Sequence, residues 1–138
     1  MRHSKAKYFA LSLMLLVTGY YFMAAGRIGV NATDSMTANG FVMVTWPKPI
    51  WHGAIVATRL PKVLAGRFEG KDLLLTKRVV GVAGDPVRST PLQLCVRDVC
   101  AKGLEKNGRV VAPIWQGTEV PEGTILVFGE SPDSLDSR

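Results

Sequence analysis

The sequence predicts a mainly β domain carried behind one N-terminal transmembrane helix. Three observations predict it: an uncharged apolar run near the N-terminus, a succession of short β-branched segments punctuated by Gly and Pro, and little room for a βαβ unit. At 138 residues the chain supports one compact domain plus an anchor.

No charged residue occurs from Tyr8 to Ala25, and Phe, Leu, Met, Val and Ala dominate. As a helix this run rises about 27 Å, close to the roughly 30 Å hydrocarbon core of a bilayer. Tyr20 and Tyr21 fall near its distal end, where amphipathic rings favour the interface, and Arg27 closes it. A cleavable signal peptide competes with this reading, because Met23-Ala24-Ala25-Gly26 offers small residues for cleavage. The run exceeds a signal h-region of about 7–15 residues, so a retained anchor is expected. Arg2, Lys5 and Lys7 supply part of the net charge of +6 and orient the helix with its N-terminus in the cytoplasm. No basic stripe with interleaved aromatics appears elsewhere, so no nucleic-acid partner is expected. The expected division is residues 1–26 for the cytoplasmic N-terminus and anchor, and 27–138 for the main domain, with a small hairpin subdomain near 86–121.

Beyond the anchor, Gly40 to Trp46 is an apolar, β-branched strand stopped by Pro47 and Pro49. Ile55 to Thr58 is a second strand after Gly53. Leu60 to Phe68 suits a short helix, with Pro61 at its first position. Leu73 to Val82 is the longest strand, ended by the turn Gly84-Asp85-Pro86. A hairpin around the cysteines and Arg109 to Pro113 follow, and the turn Pro121-Glu122-Gly123 leads into Thr124 to Gly129.

Cys95 and Cys100 flank Val96-Arg97-Asp98-Val99, which reads as a hairpin with a two-residue loop. Val96 and Val99 then close the turn as the hydrogen-bonded pair, and the cysteines lie opposite each other in a non-hydrogen-bonded pair. Such a pair sets its Cα atoms roughly 4.5–5.5 Å apart, a separation a disulfide can bridge. Two free buried cysteines are the competing reading, and no metal site or cofactor is expected. A disulfide implies an oxidising compartment such as a periplasm.

If Leu73 to Val82 is extended, Leu73, Leu75, Lys77 and Val79 share one face, while Leu74, Thr76, Arg78 and Val80 share the other. Lys77 is flanked by apolar neighbours on its own face. Burial disfavours a charged ammonium, and a neutral amine can take the proton of a serine hydroxyl. The alternative is a lysine that snorkels to solvent at a sheet edge. Ser35, in Asn31-Ala32-Thr33-Asp34-Ser35-Met36 just beyond the anchor, is equally readable as a nucleophile or as a turn residue. Asp133 to Arg138 reads as a polar turn, in which Asp136 and Arg138 form a surface ion pair of little weight.

Taken together, an anchor followed by Ser35-Met36, the box from Lys77 through Arg78 to Gly81-Val82-Ala83-Gly84-Asp85, and Asp136-Ser137-Arg138 resemble the signal peptidase family of serine/lysine proteases (peptidase S26). The Asn31 to Met36 context is similar to the conjugation-associated TraF-type members, which process pilin precursors. The resemblance implies a β-sheet catalytic domain in which Ser35 is the nucleophile and Lys77 its general base. It also implies that the Ser35 N–H and the Thr33 hydroxyl face the oxyanion, and that Ser134 orients the lysine amine. Asp136 and Arg138 would stiffen the site, Arg78 would support it, and Met36 would contribute to substrate binding.

Three departures stand out. Thr37-Ala38 follows Met36 where many members carry Pro, the last box opens Gly129-Glu130 rather than Gly-Asp, and members continue into a further strand after the position of Arg138. The expected function is that of a membrane-bound serine endopeptidase removing signal peptides from exported precursors, a conjugative pilin precursor among the candidates. The expected location is the bacterial inner membrane, single-pass, with the catalytic domain on the periplasmic side. Phe41, Val42, Trp46 and Trp51 either seat that domain on the bilayer or pack in its core. Two rivals remain: a catalytically inactive or truncated membrane-anchored protein of a secretion or conjugation apparatus, and a self-cleaving repressor-type protease. The second predicts a DNA-binding segment and a cytosolic location, against which the anchor argues.

Overall fold

A computed structural model describes residues 2–30, 35–48, 50–59, 74–107, 109–110 and 114–137. The chain divides into two compact units, one formed by residues 1–30 and 40–49 and the other by 31–39 and 50–138.

The first unit opens with helix α1 (Arg2–Ala25). Apart from the half-buried Tyr21, its large apolar side chains from Tyr8 to Met23 are exposed and lie all round the axis. Lys5–Ala25 is long and apolar enough to cross a membrane. Strand β1 (Gly26–Val30) follows without a loop. Glycine is required at that junction, because a Cβ on Gly26 would collide with the Phe22 carbonyl. The last helical carbonyl, that of Ala25, accepts the Thr45 N–H at 2.8 Å and the Thr45 hydroxyl at 2.9 Å, which satisfies an acceptor the helix leaves open.

Strand β2 (Gly40–Val44) pairs antiparallel with β1, Ile28 opposite Val42. Alternation places Ile28, Val30, Val42 and Val44 together on one face, and all four are exposed. Phe41 points to the opposite face from Val42, so these two cannot act together as one apolar patch. The strand β1 was not anticipated from the sequence, and β2 ends two residues before the expected Trp46.

The second unit is built on a three-stranded antiparallel sheet in the order β10-β4-β3, from β3 (Ile55–Arg59), β4 (Leu74–Val82) and β10 (Ile125–Phe128). Val56 lies opposite Lys77. On the other side, Val127 faces Val79 and Leu126 faces Gly81, which leaves Val80 as an extra residue at a bulge. The expected alternation therefore holds through Val80 and then shifts. Val79 packs with Ala54 and Val127, whereas Val80 and the Gly81 Cα both face the larger core. A Cβ on Gly81 would lie 2.7 Å from Val96 Cγ1. The expected helix at Leu60–Phe68 lies outside the described residues, as do 111–113 of the expected segment Arg109–Pro113.

A second sheet of β5 (Val87–Thr90), β6 (Gln93–Val96) and β7 (Val99–Lys102) packs on the first. A two-stranded ribbon, β8 (Glu105–Lys106) with β9 (Arg109–Val110), follows it in the chain. Leu94 and Val96 are fully buried, in a cluster with Val80, Val87, Ile114, Val120, Leu126 and Phe128. Val96 pairs with Val99 and Cys95 with Cys100, as the two-residue loop predicts. The cysteines form a disulfide with a Cα–Cα separation of 4.0 Å. Arg97 in that loop takes φ 52°, the left-handed value such tight hairpins need.

Candidate active site

Every described component of the site belongs to the second unit. Lys77 leaves the middle of β4 on the face it shares with Val79, and it is 2% exposed. Among the described residues it is one of only two buried polar or charged side chains, the other being Ser134 at 5%. The two meet: Lys77 Nζ donates to Ser134 Oγ at 2.6 Å. The flanking apolar residues that suggested burial are thus joined by the Ser134 hydroxyl, a polar partner for the amine inside the protein.

Ser134 reaches Lys77 because the segment after β10 folds back along that strand. The Ser137 N–H donates to the Val127 carbonyl at 3.1 Å, and the Val127 N–H donates to Ser137 Oγ at 3.0 Å. Asp136 Oδ2 accepts the Gly129 N–H at 2.8 Å. Asp136 is therefore tied to the backbone at the end of β10. The ion pair expected between Asp136 and Arg138 involves a residue outside the described set.

Ser35, half-buried, comes to the same place through its backbone. Its carbonyl accepts the Glu130 N–H at 2.8 Å. A Cβ on Gly129 would lie 3.1 Å from that carbonyl oxygen and run into the Ser134 side chain, 2.5 Å from its Cβ. The Ser35 backbone, Gly129 and Ser134 are thus packed against one another, and Ser134 holds the Lys77 amine. Met36, expected at the substrate-binding wall, is 3% exposed. Thr33 lies outside the described residues.

Arg78 points away from Lys77. Its Nη2 donates to Glu130 Oε1 at 2.6 Å and its Nη1 to the Gly53 carbonyl at 3.2 Å. Glu130 Oε2 accepts the Thr37 N–H at 2.7 Å and also the Thr37 hydroxyl. These bonds from Thr37, and then from Arg78, hold the Glu130 carboxyl down at about 2. Glu130 was noted in the sequence only as a departure from Asp. Its partners are 52 and 93 residues distant, and no local pattern reports that.

A cavity of about 190 Å³ opens beside Lys77, with Leu75, Val127, Leu135 and Asp136 among its walls. Thr58, Arg59 and Ser137 complete its lining. Among the described residues, no cluster of three or more His, Cys, Asp or Glu could hold a metal ion.

Beyond the end of β4, Asp85 Oδ2 accepts the Val82 N–H at 2.8 Å and meets His52 Nε2 at 2.5 Å. The backbone donor first, then His52, holds the Asp85 carboxyl below its ordinary value. This box residue secures the turn after the lysine strand rather than the amine itself.

The family described as signal peptidase, peptidase S26, matches residues 1–138. No curated protein matches the chain, and no solved structure does.

Proposed function

Because this chain belongs to the signal peptidase family, peptidase S26, we propose that it is a membrane-bound serine endopeptidase in which Ser35 is the nucleophile and Lys77 the general base. Its substrates are exported precursors carrying a signal peptide, and the Asn31 to Met36 context favours a conjugative pilin precursor among them. The observation that carries this reading is a lysine amine excluded from solvent and bonded to one serine, beside the backbone of another.

A base must be neutral, and exclusion of water favours the neutral amine. The Ser134 hydroxyl accepts one N–H of Nζ and so orients the amine's lone pair. That lone pair takes the proton of the Ser35 hydroxyl as Oγ attacks the scissile carbonyl. The Ser35 N–H and the Thr33 hydroxyl stabilise the oxyanion. Collapse of the tetrahedral intermediate breaks the C–N bond, and the leaving amine receives the proton from the Lys77 ammonium. Water, deprotonated by the same amine, then hydrolyses the ester on Ser35. An extended precursor would add its main chain to strand edges near the site, with a small side chain seated in the cavity beside Lys77.

The helix Lys5–Ala25 is consistent with membrane anchoring. In this reading the chain spans the bacterial inner membrane once, with the catalytic domain on the periplasmic side, where the disulfide would persist. The test is cleavage of a signal-peptide-bearing precursor co-expressed with the full chain, followed by mass analysis of the mature end. Ser35→Ala and Lys77→Ala are each expected to abolish cleavage while leaving the circular dichroism spectrum unchanged. Full cleavage by either variant overturns the dyad.

A further inference from the structure

Glu130 sits one residue after the Gly129 contact and bonds in three directions. Its N–H donates to the Ser35 carbonyl at 2.8 Å. One carboxylate oxygen accepts from Arg78 at 2.6 Å, and the other accepts from the Thr37 N–H at 2.7 Å and from the Thr37 hydroxyl. The loop bearing Ser35 is therefore gripped on both sides of Met36, by the backbone of Glu130 at residue 35 and by its side chain at residue 37. The same carboxylate is held by the residue next to Lys77.

We infer that Glu130 is a positioning residue that fixes the Ser35 hydroxyl relative to the Lys77 amine, with Thr37 as the arm through which it acts. The inference rests on the dyad reading above. A carboxylate suits the task because it only accepts, and here every partner donates: one guanidinium, one amide and one hydroxyl. The donors keep it ionised through the neutral range, since its carboxyl is held at about 2. The clamp is half in solvent, with the Arg78 and Glu130 side chains 43% and 32% exposed. Its ion pair alone would therefore count for little. What it supplies is geometry, and reacting groups misplaced by about 1 Å lose on the order of 100-fold in rate.

Two measurements on the full chain in detergent micelles test this. In the first, hydrogen exchange of the Thr37 amide is followed by NMR in wild type and Glu130→Ala. Exchange is expected to be at least about tenfold faster in the variant, which loses the acceptor. In the second, steady-state cleavage of a signal-peptide-bearing precursor is compared across variants. Glu130→Gln is expected to lower kcat by about 10-fold or more with little change in KM, the signature of an interaction that serves the reacting geometry rather than substrate binding. Thr37→Val is expected to lower kcat by a smaller factor, and Thr37→Ser to restore it, while melting temperatures stay close to wild type. Unchanged Thr37 exchange in Glu130→Ala, or unchanged kcat in Glu130→Gln, overturns the clamp. Retained cleavage by Ser35→Ala would instead remove the dyad, and the positioning role with it, while leaving Thr37 protection as it is.

Discussion

Gly129 lies where the Ser35 carbonyl and the Ser134 side chain converge, and its lack of a side chain is a packing requirement rather than a conformational one. Its backbone is not left-handed, unlike that of Gly53, Gly84 and Gly123. Gly129→Ala would push Ser134 away from Lys77 and loosen the bond at 2.6 Å. Forcing a methyl into such a contact costs about 1–3 kcal/mol. The expected outcome is a lower melting temperature together with a fall in kcat/KM on a precursor of about tenfold or more, measured on the same preparation. At this scale Lys77 was legible in the sequence, because strand alternation sets its face and its neighbours are apolar. Ser134 was named only through the resemblance, and Glu130 was not named as part of the site at all. Both depend on contacts made across the chain, which residue spacing does not encode.

Among the elements, β4 decides most. It carries the candidate base, meets β3 and β10 on its two sides, and feeds the turn that Asp85 secures. Its bulge at Val80 turns two successive positions toward the larger core, where the disulfide-bearing sheet packs through Leu94 and Val96. Leu94→Ala would remove a fully buried side chain from that contact, with an expected loss of about 2–5 kcal/mol in urea unfolding. Cleavage below the unfolding transition should persist, since Leu94 packs in the cluster that Val80 faces, on the side of β4 away from Lys77. The hairpin register was legible because a two-residue loop leaves one pairing. The bulge was not, because it is fixed by the register of β10, far along the chain.

For the whole molecule, two carboxylates join distant segments and carry a pH signature. Asp85 is held below its ordinary value of 3.8, and Glu130 is lowered from 4.5 to about 2. A carboxylate with a depressed folded value contributes stability that is fully present above its unfolded value and is lost as pH falls through the folded one. Stability measured by urea titration in detergent should therefore be nearly level from neutral pH down to about 5, and should fall steeply below about 4. Asp85→Asn is expected to be less stable than wild type at pH 7, with the difference shrinking as the pH approaches 3. A constant difference across that range would show that these bonds do not respond to the carboxylate charge.

The sequence by itself determined the apolar helix, the mainly β domain behind it, the paired cysteines and the apolar face of Lys77. Each follows from local rules: absence of charge over a bilayer's length, alternation at period two, and the closure of a two-residue loop. Only the tertiary structure decided what meets the amine and what holds the serine's loop. The return of residues 131–137 along β10 brings Ser134 to Lys77, and the Glu130 carboxylate joins Arg78 to Thr37. Those contacts link positions dozens of residues apart. They exist because β3, β4 and β10 assemble into one sheet, which lays the segment after β10 beside the lysine strand.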